Sequence, residues 1–208
     1  MMSKDFKTEQ EGFWAGKFGD EYSERNLGKS WIAANIALFA KVLDRTRNVK
    51  SVIEFGANIG LNLRAIEQLI PEPDFAAVEI NSSAAEELRK WGETKVFESS
   101  ILDFSPSRTW DLALIKGVLI HINPSELAAV YDKLYAAAGK YVCIVEYYNP
   151  SPVALPYRGH EGRLFKRDFA GEFLDRFNNL QLVDYGFCYH RDINYPQDDV
   201  TWFLMEKM

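Results

Sequence analysis

A short glycine-containing segment is the first part of the chain whose residue types suggest chemistry. The segment is EFGANIG, residues 54–60, and it follows an apolar, strand-like run. It departs from the dinucleotide pattern Gly-x-Gly-x-x-Gly, because Asn58 takes the middle position and Gly60 comes one residue early. A bound pyrophosphate needs a bare backbone at the middle position, whereas a cofactor without phosphates does not. Asparagine best replaces glycine in left-handed geometry, so the segment indicates a loop for a phosphate-free cofactor.

Polar residues at the ends of the next predicted strands extend this candidate site. Glu79 comes about 20 residues after the glycine segment, where an acid reaches the hydroxyls of a ribose. Ser100 and Ile101 follow the third strand, and this polar and apolar pair suits the edge and face of an adenine. The acid Glu54 before the loop, the second acid and the lack of a phosphate cradle together indicate S-adenosylmethionine as the cofactor.

Three residues at strand ends are candidates for the chemistry itself. Methyl transfer needs a nucleophile held in line with the methyl group, and a hydroxyl or ammonium acceptor must lose a proton to a base. His121 follows the fourth strand and Glu146 closes the fifth, so both are candidates for that base. A packed, structural role for His121 stays open. Lys116 is either a cofactor ligand or a solvated loop cation.

Hydrophobic patterning places these residues in an α/β domain. Apolar, strand-like runs alternate with helical segments through the middle of the chain, which is typical of a parallel sheet covered on both faces. Residues 180–192 and 199–207 predict two further strands, and their short polar link favours antiparallel pairing. We expect one domain over residues 1–208, with N-terminal helices at 1–46, a cofactor-binding core at 47–150, and a substrate loop with the final strands at 151–208.

An aromatic-rich segment precedes the core. Residues 9–25 carry four aromatic side chains at helical spacing, which predicts one amphipathic helix. Core packing and a lid over the cofactor both fit this pattern. The polar stretch YSERN favours the lid, in which Tyr22 and Arg25 fold over the cofactor and Arg25 lies near its carboxylate.

The last third of the chain holds the candidate acceptor ligands. Residues 149–162 are rich in proline and glycine and predict a long loop, followed by a helix near 167–177. Cationic side chains are concentrated at 158–167, and arginine binds carboxylate and phosphate bidentately. A sugar acid or a nucleotide-linked sugar would suit them, unless these cations pair with the acids of the helix. The candidates are Tyr147, Tyr148, Tyr157, Arg158, His160, Arg163, Arg167, His190 and Arg191.

Composition limits the classes of function. The chain has 208 residues and a net charge of −6, which suits one domain and argues against nucleic-acid or anionic-membrane partners. No run reaches the roughly 18 apolar residues of a membrane span, and the polar N-terminus lacks a signal-peptide core. We expect a cytoplasmic protein with a small-molecule acceptor, and we leave the oligomeric state open. The isolated Cys143 and Cys188 do not suit a zinc site, so we expect no metal.

The order of these motifs resembles class I S-adenosylmethionine-dependent methyltransferases. The resemblance covers roughly residues 49–150 and includes the segments EFGANIG, SSILDF and WDLALIKGVLIHI. It implies a Rossmann-like α/β fold: a mostly parallel seven-stranded sheet with an antiparallel edge strand, helices on both faces and an N-terminal helical lid. It also implies that the glycine segment surrounds the methionine part, Glu79 the ribose, and Ser100 with Ile101 the adenine. Ser100 stands where that family often has aspartate.

The complete set of predicted cofactor contacts combines this resemblance with the residue arguments above. It consists of Tyr22, Arg25, Glu54, Gly56, Asn58, Gly60, Asn62, Glu79, Ile80, Ser100, Ile101 and Lys116.

Two blocks near the chain ends resemble a narrower family, the methylases associated with pseudaminic acid biosynthesis. They are FWAGKFGDEYSERN near the N-terminus, and EYYNPSPVALPYRGHEGRLFKRDFAGEF together with DYGFCYHRDINYPQDDVTWFLMEK in the last third. This resemblance implies transfer of a methyl group to oxygen or nitrogen of a small anionic acceptor, a sugar acid or nucleotide-linked sugar. Two alternatives stay open: a cofactor-binding scaffold or sensor without methyl transfer, and transfer of an alkyl group from a modified cofactor.

Overall fold

The computed structural model describes residues 6–25 and 29–208, in which strands and helices alternate along most of the chain. Within these ranges the strands are β1 (Ser51–Phe55), β2 (Asp74–Glu79), β3 (Thr94–Glu98), β4 (Trp110–Lys116), β5 (Ala138–Glu146), β6 (Val153–Tyr157), β7 (His160–Lys166), β8 (Leu180–Cys188) and β9 (Val200–Lys207). The helices are α1 (Glu9–Ala15), α2 (Lys17–Arg25), α3 (Lys29–Asp44), α4 (Leu61–Glu67), α5 (Ser82–Trp91), α6 (Leu127–Ala137) and α7 (Phe169–Arg176). Two short 3₁₀ turns, Leu119–His121 and Pro124–Glu126, connect β4 to α6.

Seven of these strands form one sheet in the order β3-β2-β1-β4-β5-β9-β8. The first five pair in parallel, and β9 runs antiparallel to both β5 and β8. The antiparallel strand therefore lies one place inside the edge that β8 forms. The order of connection reverses between β1 and β4, and sheets of this kind bind ligands in the crevice at the carboxyl ends of such strands.

Helices cover both faces of the sheet, as the apolar strands predict. On one face α3, α4 and α5 pack on the sheet through buried side chains that include Phe39, Leu63 and Leu88. On the other face α6 and α7 contribute Leu134 and Phe173 to a second core. No helix within residues 6–25 and 29–208 has both the length and the apolar character needed to cross a bilayer.

The aromatic-rich segment near the N-terminus forms two helices, so the prediction of a single helix over residues 9–25 is wrong. Gly16 separates α1 from α2 because its backbone is extended, with φ −100° and ψ −160°, and cannot continue a helix. The bend brings the Trp14 ring within 5.2 Å of the Tyr22 ring and within 4.6 Å of the His121 ring, measured between centroids. Helices α1 and α2 therefore cover the carboxyl edge of the sheet.

The predicted long loop at residues 149–162 is also wrong, because most of it belongs to a β-hairpin. Strands β6 and β7 pair antiparallel, and Arg158 and Gly159 form the turn between them with φ values of 50° and 85°. Positive φ at both central residues is the geometry that tight hairpins favour. Pro156 lies inside β6, where an edge strand tolerates it, and this composition resembles that of a loop.

The hairpin is joined to α1 by side-chain contacts. Gln10 Nε2 donates to the carbonyl of Gly162 at 2.9 Å, and Arg163 forms an ion pair with Glu9 at 3.1 Å. Rings of α1 and of the hairpin also meet, since the His160 centroid lies 5.0 Å from that of Phe13. The N-terminal helix and the hairpin thus form one cover over the sheet edge.

Candidate active site

A cavity lies at the carboxyl ends of β1, β2, β3 and β4, beneath α1 and α2. Most of the predicted cofactor residues line it. They are Tyr22, Gly56, Asn58, Asn62, Glu79, Ile80, Ser100, Ile101 and Lys116. Glu54 and Gly60 do not line the cavity.

Arg25 is not among the residues that line the cavity, and its contact with the cofactor stays a prediction. Its exposed guanidinium lies 3.8 Å from the carboxylate of Glu21, one helical turn earlier, and 5.6 Å from the centre of the Phe18 ring.

The glycine segment adopts the left-handed geometry that its sequence predicts. Gly56, Asn58 and Gly60 have φ values of 75°, 49° and 81°. The Asn58 side chain is fixed by helix α2, because the Ser23 hydroxyl donates to its Oδ1 at 2.6 Å. Asparagine therefore serves here as a left-handed residue that also ties α2 to the loop.

Glu79 is buried at the end of β2 and turns its carboxylate toward the loop. Its two oxygens accept one backbone N–H each, from Asn58 and from Asn81, both at 2.7 Å. Burial raises the pKa of Glu79, and the backbone amides of Asn81, Asn58 and Ile80 act in the opposite direction because they favour the charged form. A carboxylate accepts up to four hydrogen bonds, so Glu79 keeps a fixed acceptor for a ligand in the cavity.

The buried Glu54 and the half-buried Lys116 lie near the ends of β1 and β4 and influence each other electrostatically. Glu54 accepts from Asn62 Nδ2 at 2.6 Å through one oxygen, and its other oxygen has no partner among the described residues. Burial raises the pKa of Glu54 to about 8 and lowers the pKa of Lys116. A cationic group entering the cavity beside them would favour ionised Glu54.

His121 lines the cavity and presents one ring nitrogen that is free to accept a proton. Its Nδ1 lies 2.6 Å from the carbonyl of Arg163, and because a carbonyl only accepts, Nδ1 carries the hydrogen. The Nε2 atom then carries the lone pair, and it makes no hydrogen bond within the described part of the chain. Burial lowers the pKa of His121 to about 4, so the ring is neutral at physiological pH.

Glu146 lies outside the cavity lining, and its role as a base stays a prediction. Its Oε1 accepts the backbone N–H groups of Val118 and Leu119, at 2.9 and 2.8 Å. The carboxylate thereby caps the 3₁₀ turn that carries His121. Burial raises the pKa of Glu146 to about 8. We assign it to positioning that turn.

The predicted acceptor ligands lie outside the lining of this cavity, and their role in binding an acceptor stays a prediction. Several of the cations are paired with acids: Arg163 with Glu9, Arg167 with Glu172, and His190 with Asp199. Of these three, only Arg167 pairs with an acid of the following helix, as the alternative stated above has it. The predicted residues outside the lining are Tyr147, Tyr148, Tyr157, Arg158, His160, Arg163, Arg167, His190 and Arg191.

Several lining residues were missed by sequence reasoning. One group comes from α1 and includes Gln10 and Glu11. The sequence does mark the start of this helix, because residues 8–11, TEQE, match the Ser/Thr-x-x-Glu capping box. A second group consists of Trp31 and Asn35. No local pattern marks it, because its assembly depends on contacts between distant segments. Gln197 Nε2, for example, donates to Asn35 Oδ1 at 3.2 Å.

The close approach at Gly56 yields a stability prediction. A Cβ atom at Gly56 would lie 2.5 Å from Cγ2 of Val118, whose β-branched side chain is stiff, whereas a Cβ at Gly92 meets nothing within 4 Å. Both glycines have left-handed φ, which costs another residue roughly 1–2 kcal/mol. Overpacking adds about 1–3 kcal/mol at Gly56 alone. We expect Gly56→Ala to lower the free energy of unfolding in urea by clearly more than Gly92→Ala, and equal losses would contradict the close contact.

Comparison with known proteins identifies the architecture. No protein-family model and no curated protein matches the chain. Among solved structures, the 1,6-didemethyltoxoflavin-N1-methyltransferase of Burkholderia thailandensis, with bound 1,6-didemethyltoxoflavin and S-adenosylhomocysteine, is similar with a TM-score of 0.69 and 15% identity, over 95% of this chain and 87% of that one. Magnesium protoporphyrin IX methyltransferase (ChlM) from Synechocystis PCC 6803, with bound S-adenosylmethionine, has a TM-score of 0.67 and 10% identity, over 99% and 100%.

A third similar structure is the mitomycin 7-O-methyltransferase MmcR, with a TM-score of 0.69 and 12% identity over 97% of this chain. This chain spans 61% of the length of that protein. At such identities the likeness establishes the fold. The chain has the Rossmann-like fold of class I methyltransferases, which confirms the predicted fold class.

Proposed function

We propose that this protein is an S-adenosylmethionine-dependent methyltransferase that acts on oxygen or nitrogen of a small acceptor. The observation that carries the proposal is the Glu79 carboxylate, which lines the cavity beside a left-handed glycine segment and is oriented by the amides of Asn58 and Asn81. A carboxylate in this place repels a phosphate but accepts from a ribose diol. Similar folds solved with S-adenosylmethionine or S-adenosylhomocysteine bound add support.

The residues around the cavity fit the remaining parts of this cofactor. The backbone of the Gly56–Asn58 turn would face the methionine part, and Asn62 with the ionised Glu54 would favour its positive charges. Lys116 lines the same region and suits the methionine carboxylate. When bound, S-adenosylmethionine supplies an electrophilic methyl group. Trp14 and Tyr22 cover the cavity and would exclude water from it.

We assign the proton transfer to His121. Its Nε2 faces no protein partner among the described residues, and the bond from Nδ1 to the Arg163 carbonyl fixes the ring. A neutral imidazole held in this way accepts a proton from an acceptor hydroxyl or ammonium. Glu146 supports the turn beneath His121 through the amides of Val118 and Leu119.

For the acceptor we propose a small anionic molecule, a sugar acid or nucleotide-linked sugar of the pseudaminic acid type. The sequence blocks near both chain ends support this choice. Two cations, Arg158 and Arg25, lie near Tyr22 at the cavity, and the carboxylate of Asp198 lies near it as well.

Calorimetry and a turnover assay together test the function. We expect the purified protein to bind S-adenosylhomocysteine and to ignore ATP and NAD, because the loop offers their phosphates no cradle. We then expect release of S-adenosylhomocysteine from S-adenosylmethionine with sugar acids, and weaker release with their neutral methyl esters. Absence of S-adenosylhomocysteine binding would refute the proposal. Binding without release from any acceptor would favour the scaffold or sensor, and mass spectrometry of a co-purified ligand would detect a modified cofactor.

A further inference from the structure

A buried carboxylate on the N-terminal helix faces the cavity without a cationic partner. Glu11 lies on α1, is 7% exposed and belongs to the cavity lining. No ion pair to Glu11 exists within residues 6–25 and 29–208. Burying a charge without compensating hydrogen bonds is costly, so the donors around this carboxylate decide what it does.

The protein supplies donors to both oxygens of Glu11 but leaves one of them room for another. Oε2 accepts the backbone N–H of Thr8 at 2.8 Å and the Thr8 hydroxyl at 3.1 Å. Among the residues that the structure describes, Oε1 accepts from the hydroxyl of Ser100 alone, in a short hydrogen bond. A carboxylate oxygen accepts two hydrogen bonds, so Oε1 keeps one lone pair for a donor in the cavity.

The surroundings of Oε1 match a flat, apolar ring with an amino group. Ser100 follows β3, and the next residues, Ile101 and Leu102, are buried apolar side chains that also line the cavity. The Ser100 hydroxyl already donates to Glu11 and accepts the N–H of Leu102 at 3.0 Å. The charged Glu11 is therefore the stronger acceptor available beside this apolar surface.

We propose that Glu11 accepts a hydrogen bond from the exocyclic amino group of the cofactor's purine and selects adenine over hypoxanthine. This inference rests on the proposed function, and it extends that function by assigning base selection to the N-terminal helix. Ser100 acts as a positioning residue, because its hydroxyl holds the Glu11 carboxylate at the end of β3. Helix α1 is then part of the cofactor site and more than a cover.

The contacts of α1 fix Glu11 in this position. The capping box with Thr8 sets the start of the helix, and the hydrogen bond from Gln10 to the Gly162 carbonyl ties the helix to the hairpin. Glu9, on the same helix, is exposed and pairs with Arg163. Glu9 offers a matched control, since it carries the same charge two residues away and does not line the cavity.

The test compares S-adenosylhomocysteine with S-inosylhomocysteine, in which an oxygen replaces the purine amino group. We expect the wild-type protein to bind S-adenosylhomocysteine at least about tenfold more tightly, as for loss of one hydrogen bond to a charged group. Glu11→Gln should bring the two affinities close together, because an amide can accept from an amine or donate to a carbonyl. Glu9→Gln should keep the wild-type ratio. Calorimetry measures all six affinities.

The ratio of the two affinities separates recognition from folding. A general disturbance of α1 would weaken both ligands equally, so an unchanged ratio in Glu11→Gln would overturn the inference. Equal binding of both ligands by the wild-type protein would also overturn it and leave the proposed function standing. If the wild-type protein bound neither ligand, the proposed function itself would fail and this inference with it.

Discussion

Replacing Glu79 with alanine is expected to weaken binding of S-adenosylhomocysteine by more than about tenfold, as for loss of one hydrogen bond to a charged group. Both carboxylate oxygens of Glu79 are held by backbone amides, so the wild-type side chain meets a ribose diol without reorganising. The substitution also removes the acceptor of the Asn58 amide in the glycine segment. Isothermal titration calorimetry measures the effect directly and requires no knowledge of the acceptor.

Two variants control this measurement. Glu98 lies opposite Glu79 on the neighbouring strand β3, but it does not line the cavity. We therefore expect Glu98→Ala to leave the affinity for S-adenosylhomocysteine unchanged. Glu79→Gln keeps an acceptor oxygen and should lose less affinity than Glu79→Ala. Unchanged affinity in Glu79→Ala would refute the assignment of the ribose to this residue.

Replacing His121 with asparagine is expected to lower turnover by about 10²–10⁴-fold, the usual contribution of a positioned base. An asparagine amide can still donate to the Arg163 carbonyl, as Nδ1 does, but it offers no basic nitrogen. The affinity for S-adenosylhomocysteine should change little. Glu146→Gln should keep most of the turnover, because its amide oxygen still accepts from Val118 and Leu119. The opposite pattern would assign the base to Glu146.

The pH dependence of the wild-type reaction gives a second readout of His121. Burial lowers the pKa of this residue to about 4, and a base acts only when unprotonated. We therefore expect kcat/KM to persist as the pH falls from 7 and to be lost near pH 4. Folding stability should decline over the interval from 6.5 down to about 4, because the unfolded chain takes up a proton there while the folded chain does not. Circular dichroism at each pH separates the two effects.

Much of the fold could be predicted from the chain because local pattern and tertiary structure agree there. The apolar runs that end at Phe55, Glu79 and Glu146 became strands, since a sheet covered on both faces needs side chains that are apolar on both sides. The left-handed geometry at Asn58 was also predictable from residue type. Two elements were not: Gly16 breaks a regular aromatic pattern, and the hairpin at Arg158 and Gly159 has the composition of a loop.

The candidate site was predictable where a residue acts at its own strand end, and not where distant segments meet. Glu79 ends β2, His121 lies in the 3₁₀ turn shortly after β4, and both line the cavity. Arg163 was predicted as an acceptor ligand, but its partner Glu9 lies at the other end of the chain, and no local pattern connects them. Glu11 reaches the site in the same way, through Ser100.

The hydrogen bond between His121 and the hairpin has a consequence for mutational tolerance. The group that fixes the imidazole is the main-chain carbonyl of residue 163, not its side chain. Every amino acid supplies that carbonyl, so the tautomer of His121 depends on the path of β7 and is insulated from changes of residue type at position 163. Libraries that vary the side chains of the hairpin can therefore change the contacts between the hairpin and α1 while the His121 imidazole keeps its orientation.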